Sequence, residues 1–211
     1  MTQHSAQRRA ASDEATVLLV DDEADFRDSM TSLLTSVGLK VKPFGSIADL
    51  LDSSLPDVVS CLVLDVRLPR LSGLDFQAEL AKANNTIPII IMTGYGDIPM
   101  SVKAMKLGAV DFLIKPFRDQ DLLDAVTVAL ERDRKRREAD RKAAELKSRL
   151  DNLTPREREV MTLVVTGLLN KQIAGRLGVG EGTVKFHRGR VMEKLGVRSV
   201  AELVKIAECA E

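Results

Sequence analysis

Cysteine and histidine are scarce in this 211-residue chain, which has two of each. Cys61 and Cys209 cannot build a disulfide framework, and with His4 and His187 they make a poor zinc-ligand set. Zinc fingers, zinc hydrolases and disulfide-stapled secreted scaffolds are thereby excluded, and a reducing cytoplasm is the expected compartment. No apolar run approaches the roughly 18 residues of a membrane span. Arg8 and Arg9 lead into no apolar stretch, so residues 1–14 read as a disordered tail rather than a secretion signal. The phosphate-loop pattern G-x-x-x-x-G-K-[ST] is missing. The lone G-x-G of Gly94 and Gly96 lacks the βαβ placement of a dinucleotide fingerprint.

Net charge is also missing, since 31 basic residues balance 31 acidic ones. The balance is uneven along the chain. Residues 1–124 hold 12 Lys+Arg against 18 Asp+Glu, residues 125–150 hold 9 against 5, and residues 151–211 hold 10 against 8. An acidic front and a mildly basic rear suggest two domains with different partners. Between them, residues 131–149 have only Ala139, Ala143, Ala144 and Leu146 as apolar members. Such a segment shows no face to bury. It reads either as a solvated helix with opposite charges at i,i+4, such as Asp133 with Arg137, or as a flexible tether.

In the front half, apolar β-branched runs recur at 16–20, 39–44, 58–64, 87–92 and 110–114. Helical stretches lie between them; in the first, Phe26, Met30, Leu33, Leu34 and Val37 share a face and Gly38 follows as the stop. Ser46 and Ser72 stand as helix N-caps. Five strand–helix units in this length specify a parallel sheet covered by helices on both faces, with function at the carboxyl ends of the strands. The first strand runs into Asp21 and Asp22, the third into Asp65, the fourth into Thr93 and the fifth into Lys115. Three aspartates at one edge repel one another unless a cation intervenes, and oxygen-only ligands suit Mg²⁺. A lysine and a hydroxyl aimed at the same spot complete an acceptor site for a phosphoryl group. A hydrolase of free phosphorylated substrates is disfavoured, because no D-x-D stands at a single strand end.

The rear half carries a turn signature. Thr154 as N-cap, Pro155 at N1 and Glu157 at N3 open a helix with Val160, Leu163 and Val164 inward. Asn170 is placed to cap a short second helix that Gly178 ends. A third helix over 183–195, closed by Gly196, completes a helix-turn-helix. At 100° per residue Val184, His187, Val191 and Leu195 face the core, with His187 expected to be packed and hydrogen-bonded. The outward side carries Lys185, Phe186, Gly189, Arg190 and Glu193, while Arg188 and Lys194 flank the apolar stripe. A helix of about 20 Å with this face fits a major groove, and an exposed Phe186 would suit a thymine methyl.

The motifs V-L-L-V-D-D-E, L-D-V-R-L-P, I-M-T-G-Y-G-D and D-F-L-I-K-P-F make residues 15–128 resemble the receiver domain of two-component response regulators. L-T-P-R-E-R-E-V, N-K-Q-I-A, T-V-K-F-H and K-L-G-V make residues 151–211 resemble the LuxR-type helix-turn-helix, with 129–150 as a charged linker. G-D-I-P-M and K-P-F-R-D-Q-D are most similar to the FixJ branch of the NarL/FixJ family. The resemblance implies a flavodoxin-like α/β receiver, with a five-stranded parallel sheet, joined to an all-α DNA-binding domain. It implies that Asp65 takes a phosphoryl group from a sensor histidine kinase and that Asp21, Asp22, Asp65 and the Arg67 carbonyl hold Mg²⁺. Thr93, Lys115 and Phe112 become the phosphate-binding and switch residues, with a cis Lys115–Pro116 bond. Phe112 departs from relatives with a tyrosine there, so it brings no phenolic hydroxyl. Arg67 and Tyr95, each two residues past a site residue, are placed to screen an acyl phosphate from water. Thr183, Lys185, Phe186, Arg188, Gly189 and Arg190 would meet a double-stranded operator, although Gly189 stands where many relatives carry a larger polar residue. A homodimer on phosphorylation follows, through the surface of residues 100–108 and 119–129. The last helix, 199–207, would add a pairing face of Val200, Leu203, Val204 and Ala207. RNA polymerase is a further implied partner.

Overall fold

The computed structural model describes residues 15–54 and 56–208; the expected tail 1–14 and Cys209 lie outside them. Five parallel strands form one sheet in the order β2-β1-β3-β4-β5. They are β1 (Thr16–Val20), β2 (Lys40–Phe44), β3 (Ser60–Asp65), β4 (Ile89–Thr93) and β5 (Asp111–Ile114). Helices α1 (Ala24–Ser36), α2 (Ile47–Asp52), α3 (Gly73–Lys82), α4 (Ile98–Lys106) and α5 (Asp119–Asp151) follow the strands in turn. Helices α6 (Pro155–Val165), α7 (Asn170–Leu177), α8 (Glu181–Leu195) and α9 (Val200–Glu208) complete the described residues. None of these helices is long and apolar enough to cross a membrane.

Period-two alternation along the strands divides the sheet's side chains between two cores. Val17, Leu19, Cys61, Val63, Ile90 and Met92 pack on one face, with Met30 and Leu34 of α1 and Leu122, Val126 and Leu130 of α5. Leu18, Val20, Leu62, Leu64, Ile89 and Ile91 pack on the other, against Ile47, Leu50, Leu74, Phe76 and Ala104 from α2, α3 and α4. Because every central strand is covered on both faces, its termini alone reach water, and polar chemistry collects there. Ser46 and Ser72 cap α2 and α3, accepting from the amides of Asp49 and Leu74. Val37, assigned to the buried face of α1, is 52% exposed, because the helix ends at Ser36 and the chain turns at Gly38 with φ +85°.

The contacts divide the chain into two units, with the division between Arg137 and Glu138. Helix α5 runs without interruption from Asp119 to Asp151, through the segment expected as a charged linker. Ala129 and Leu130 belong to the first unit's core. The segment read as having no face to bury does bury one residue: Asp133 is 1% exposed. Its carboxylate accepts from the Ser60 amide at the start of β3 (3.0 Å) and pairs with Arg136 and Arg137 at 2.6 and 2.8 Å. Arg137 also reaches Asp57 at 2.9 Å. A solvated-helix pattern thus conceals a polar clamp.

In the second unit, Val160, Ile173, Val184, Val191, Leu195 and Leu203 form the core. Thr154 and Glu157 close the expected capping box on α6. Lys194 then bonds the same Glu157 at 2.6 Å and the Asn152 carbonyl at 3.0 Å. Gly178 and Gly196 end α7 and α8 in the left-handed region that glycine tolerates best. Asn170 does not cap α7. Leu169 holds that position, Gln172 reaches back to its amide, and the Asn170 side chain instead accepts from Arg188 at 3.0 Å. Helix α8 starts at Glu181, two residues before the expected Thr183. Of the expected pairing face on α9, Leu203 is turned inward and fully buried, while Val200 and Ala207 are partly buried against the same core and Val204 is half-buried. A short amphipathic helix satisfies its own domain's core first.

Candidate phosphoacceptor site and recognition helix

Strand ends set the first site. β1 stops at Val20, so Asp21 follows it directly; Asp65 and Thr93 are the last residues of β3 and β4; Lys115 follows β5. Register holds them at one level, with Asp65 paired to Met92 and Thr93 to Ile114. The Lys115 amide donates to the Thr93 carbonyl at 2.8 Å, tying the fifth strand's exit to the fourth. The Lys115–Pro116 bond is cis.

The Lys115 ammonium lies 2.6 Å from Asp21 Oδ2 and 2.8 Å from Asp65 Oδ2, bridging both carboxylates. Asp21 is fully buried and Asp65 nearly so, whereas Asp22 is exposed. Ligand oxygens of Asp21, Asp22 and Asp65 all fall within 4.8 Å of one another. Burial pushes the Asp21 carboxyl above its usual range, against the hydrogen bond and charge of Lys115 that pull it down. Burial also works to lower Lys115, but its bonds to Asp21 and Asp65 outweigh that and hold the ammonium above its usual range. Two carboxylates share one lysine, leaving a net negative cluster with a single open, water-facing member. Three convergent oxygens of this kind fit a hard divalent cation that keeps several waters.

Local bonds orient the carboxylates. Asp21 Oδ1 accepts from the Glu23 amide and Asp65 Oδ1 from the Arg67 amide, each at 3.0 Å. Thr93 is buried, and its hydroxyl accepts from the Tyr95 amide at 3.3 Å. Arg67 and Tyr95, expected near the rim, touch each other, with the guanidinium 4.2 Å from the ring centroid. Phe112 is half-buried and packs on the α2–α4 side of the sheet.

Three supporting residues escaped sequence reading. Phe26 lies under Lys115, its ring centroid 3.9 Å from the ammonium, and meets Phe117 edge-on at 6.0 Å. Its helical spacing marked it as core, and nothing in the sequence linked it to a lysine 89 positions on. Gly73 leaves no space for a side chain, since a Cβ there would sit 2.1 Å from the Asp65 carbonyl oxygen. Gly96 is crowded by Phe112 and Ile114, whose atoms lie 3.0 and 2.9 Å from a would-be Cβ. The G-x-G is therefore partly a packing requirement beside the aromatic at 112.

On α8, Thr183, Lys185, Phe186, Gly189 and Arg190 are exposed, with Phe186 at 63%. Arg188 is half-buried and held by Asn170, while Arg190 pairs with Glu193 at 2.9 Å. Gly189 has no atom near a would-be Cβ, so nothing in the fold requires glycine there. His187 is half-buried, its ring edge-on to Phe186 at 5.5 Å. The expected hydrogen bond is not made: buried Nδ1 has no partner among the described residues.

This sheet order, strand-end cluster and helix-turn-helix define a receiver-type domain joined to a DNA-binding domain. Comparison with known families agrees. The response regulator receiver domain matches residues 17–127, and the luxR family of bacterial regulatory proteins matches residues 151–207. The chain belongs to the two-component response regulators of the NarL/FixJ family, which are transcriptional regulators rather than enzymes. It is 61% identical over 198 residues to Nodulation protein W of Bradyrhizobium diazoefficiens, covering 94% of this chain and 87% of that protein. It is 41% identical to the transcriptional regulatory protein FixJ of Azorhizobium caulinodans, with 90% of each chain covered. The solved structure of response regulator StyR superposes with a TM-score of 0.86 at 45% identity, over 92% of this chain and 98% of that one. A receiver joined to a DNA-binding domain implies a sensor kinase and DNA as partners.

Proposed function

We propose that Asp65 is the phosphoacceptor and that its phosphorylation drives homodimerisation and operator binding. The observation that carries this reading is the Lys115 ammonium bonded at once to Asp21 and Asp65, beside the exposed Asp22. The P–N bond of a kinase phosphohistidine breaks as a P–O bond forms to a carboxylate oxygen of Asp65. Asp21, Asp22, Asp65 and the Arg67 carbonyl would hold Mg²⁺, which supplies positive charge to the phosphoryl oxygens. Lys115 pairs with the phosphoryl group, and the Thr93 hydroxyl turns from the Tyr95 amide to donate to it. Phe112 then fills the space that Thr93 vacates, which remodels α4, β5 and the start of α5. That surface, residues 100–108 and 119–129, leaves Val102, Met105 and Val128 exposed, with Ile114 of β5 exposed as well, apolar side chains suited to a second receiver. Ala129 is inward and takes no part.

Pairing two receivers raises the effective concentration of two DNA-binding domains on a two-half-site operator. Thr183, Lys185, Phe186, Arg188, Gly189 and Arg190 form the DNA-facing side of α8, with Arg188 positioned through Asn170. Work on DNA with a sensor kinase supports a cytoplasmic location, and RNA polymerase is a further partner under this reading. Beryllofluoride with Mg²⁺ tests the reading. The full chain should double its mass in light scattering and bind operator DNA more tightly; an unchanged mass and affinity would refute it.

A further inference from the structure

An ammonium carries three N–H donors. Lys115 gives two hydrogen bonds to the described residues, to Asp21 Oδ2 at 2.6 Å and to Asp65 Oδ2 at 2.8 Å. Another side of the same ammonium lies over the Phe26 ring, 3.9 Å from its centroid. The Lys115 side chain is only 12% exposed, and a cation–ring attraction is stronger in such a desolvated setting than at an open surface. The ring is itself held. Phe26 stands in the first turn of α1, packs against the core that α1 shares with α5, and meets Phe117 edge-on at 6.0 Å. The neighbouring Arg27 donates to the Asp21 carbonyl, which ties that turn to the end of β1. Ring, ammonium and two carboxylates thus form one braced group.

We infer that Phe26 is a positioning residue for phosphoryl transfer, acting through Lys115; the inference rests on the phosphoacceptor reading of Asp65. When a phosphoryl group joins Asp65, the ammonium has to pass a hydrogen bond from a carboxylate oxygen to a phosphoryl oxygen. A third carboxylate in the ring's place would hold the ammonium away from that group. An open side would let water compete for its N–H bonds. A ring face instead attracts the cation through its quadrupole and offers no localised acceptor. The ammonium therefore keeps its place while its hydrogen bonds change partners. An aliphatic side chain would fill the space without that attraction, so the role of the aromatic face can be separated from packing.

The test weakens the ring face while keeping its shape. The full-length chain is made with mono-, di- and trifluorinated phenylalanine at position 26, and with Phe26→Leu. Urea unfolding in EDTA reads the contact with neither metal nor reaction. Mass gain at Asp65 from acetyl phosphate and Mg²⁺, in which a P–O bond to acetate breaks as one to Asp65 forms, reads the transfer rate. Folding constant and rate should both fall step by step with each fluorine. The loss should reach about tenfold in each for the trifluorinated ring and for Phe26→Leu. With Lys115→Met the fluorinated rings should unfold alike, which separates the cation from the Phe117 contact. If Lys115→Met fails to fold, the graded series beside the natural lysine still decides. Unfolding and rate that ignore the fluorines, or a series equally graded without the lysine, would reduce Phe26 to packing. Graded unfolding with a flat rate would confine it to stability. Each of these overturns the inference while the phosphoacceptor reading stands. An unsubstituted chain that gains no phosphate on Asp65 contradicts that reading, and the inference with it.

Discussion

The two halves deploy polar chemistry in opposite ways. In the receiver, Asp21, Asp65 and Thr93 are buried, and Lys115 holds both carboxylates at hydrogen-bond distance. In the DNA-binding domain the functional candidates other than the half-buried Arg188 stand in water, and its buried charge, Glu157, serves the fold by capping α6 and pairing with Lys194. A buried charge cluster is poised: adding one phosphoryl group changes partners that cannot be replaced by solvent. An exposed face is read by complementarity and changes little within one chain, and under the proposed function its regulation comes from pairing two copies.

Lys115→Ala is expected to break this contrast most strongly. It leaves Asp21 and Asp65 facing each other without their shared cation, and breaking such a buried pair costs about 3 kcal/mol or more. Unfolding by urea in EDTA should show that loss in the receiver transition, and Mg²⁺ should restore part of it. An unchanged midpoint would mean that solvent already screens the cluster. On the exposed side, Phe186→Ala should leave thermal stability unchanged, since the ring is mostly in water, yet weaken operator binding about tenfold. Equal affinity would reduce Phe186 to a surface aromatic.

The capping carboxylate gives a pH test of the second domain. Hydrogen bonds from Lys194 and the Thr154 amide lower Glu157 from its usual 4.5 to about 2. Its contribution to stability is therefore complete above pH 4.5 and is lost as pH falls from there toward about 2. Acid unfolding followed at Val184 and Leu203 methyl signals should show this slope, and Glu157→Gln should flatten it. A slope that survives the substitution would assign it to other carboxylates. The smallest effect is expected at the receiver's rim. An exposed Arg67–Tyr95 contact contributes about 0.5–1 kcal/mol, so Arg67→Ala should shorten the life of the phosphorylated state only a few-fold. Unchanged decay would remove the screening role.

Legibility in the sequence followed the same division. The strand-end residues stood out because a buried parallel strand is apolar to its last residue, so Asp65, Thr93 and Lys115 mark sharp edges. The capping box at Thr154 and the glycine stops were legible because they are local patterns. What was not legible depends on distant partners. Phe26 supports Lys115, Asp133 clamps the Ser60 amide, and Gly73 yields to the Asp65 carbonyl only once the sheet is assembled. Asp133 was hidden inside a charge run whose average polarity masks one inward position. Asn170 and α9 misled for a related reason. Asn170 prefers a side-chain partner on α8 to a capping role, and α9 turns Leu203 into its own core.

The most direct measurement is mass spectrometry of the intact chain after incubation with acetyl phosphate and Mg²⁺, followed by mapping of the modified residue. The account predicts one added phosphoryl group, located on Asp65 and absent from Asp65→Asn or when EDTA replaces Mg²⁺. No added mass, or the same mass gained by Asp65→Asn, would contradict it.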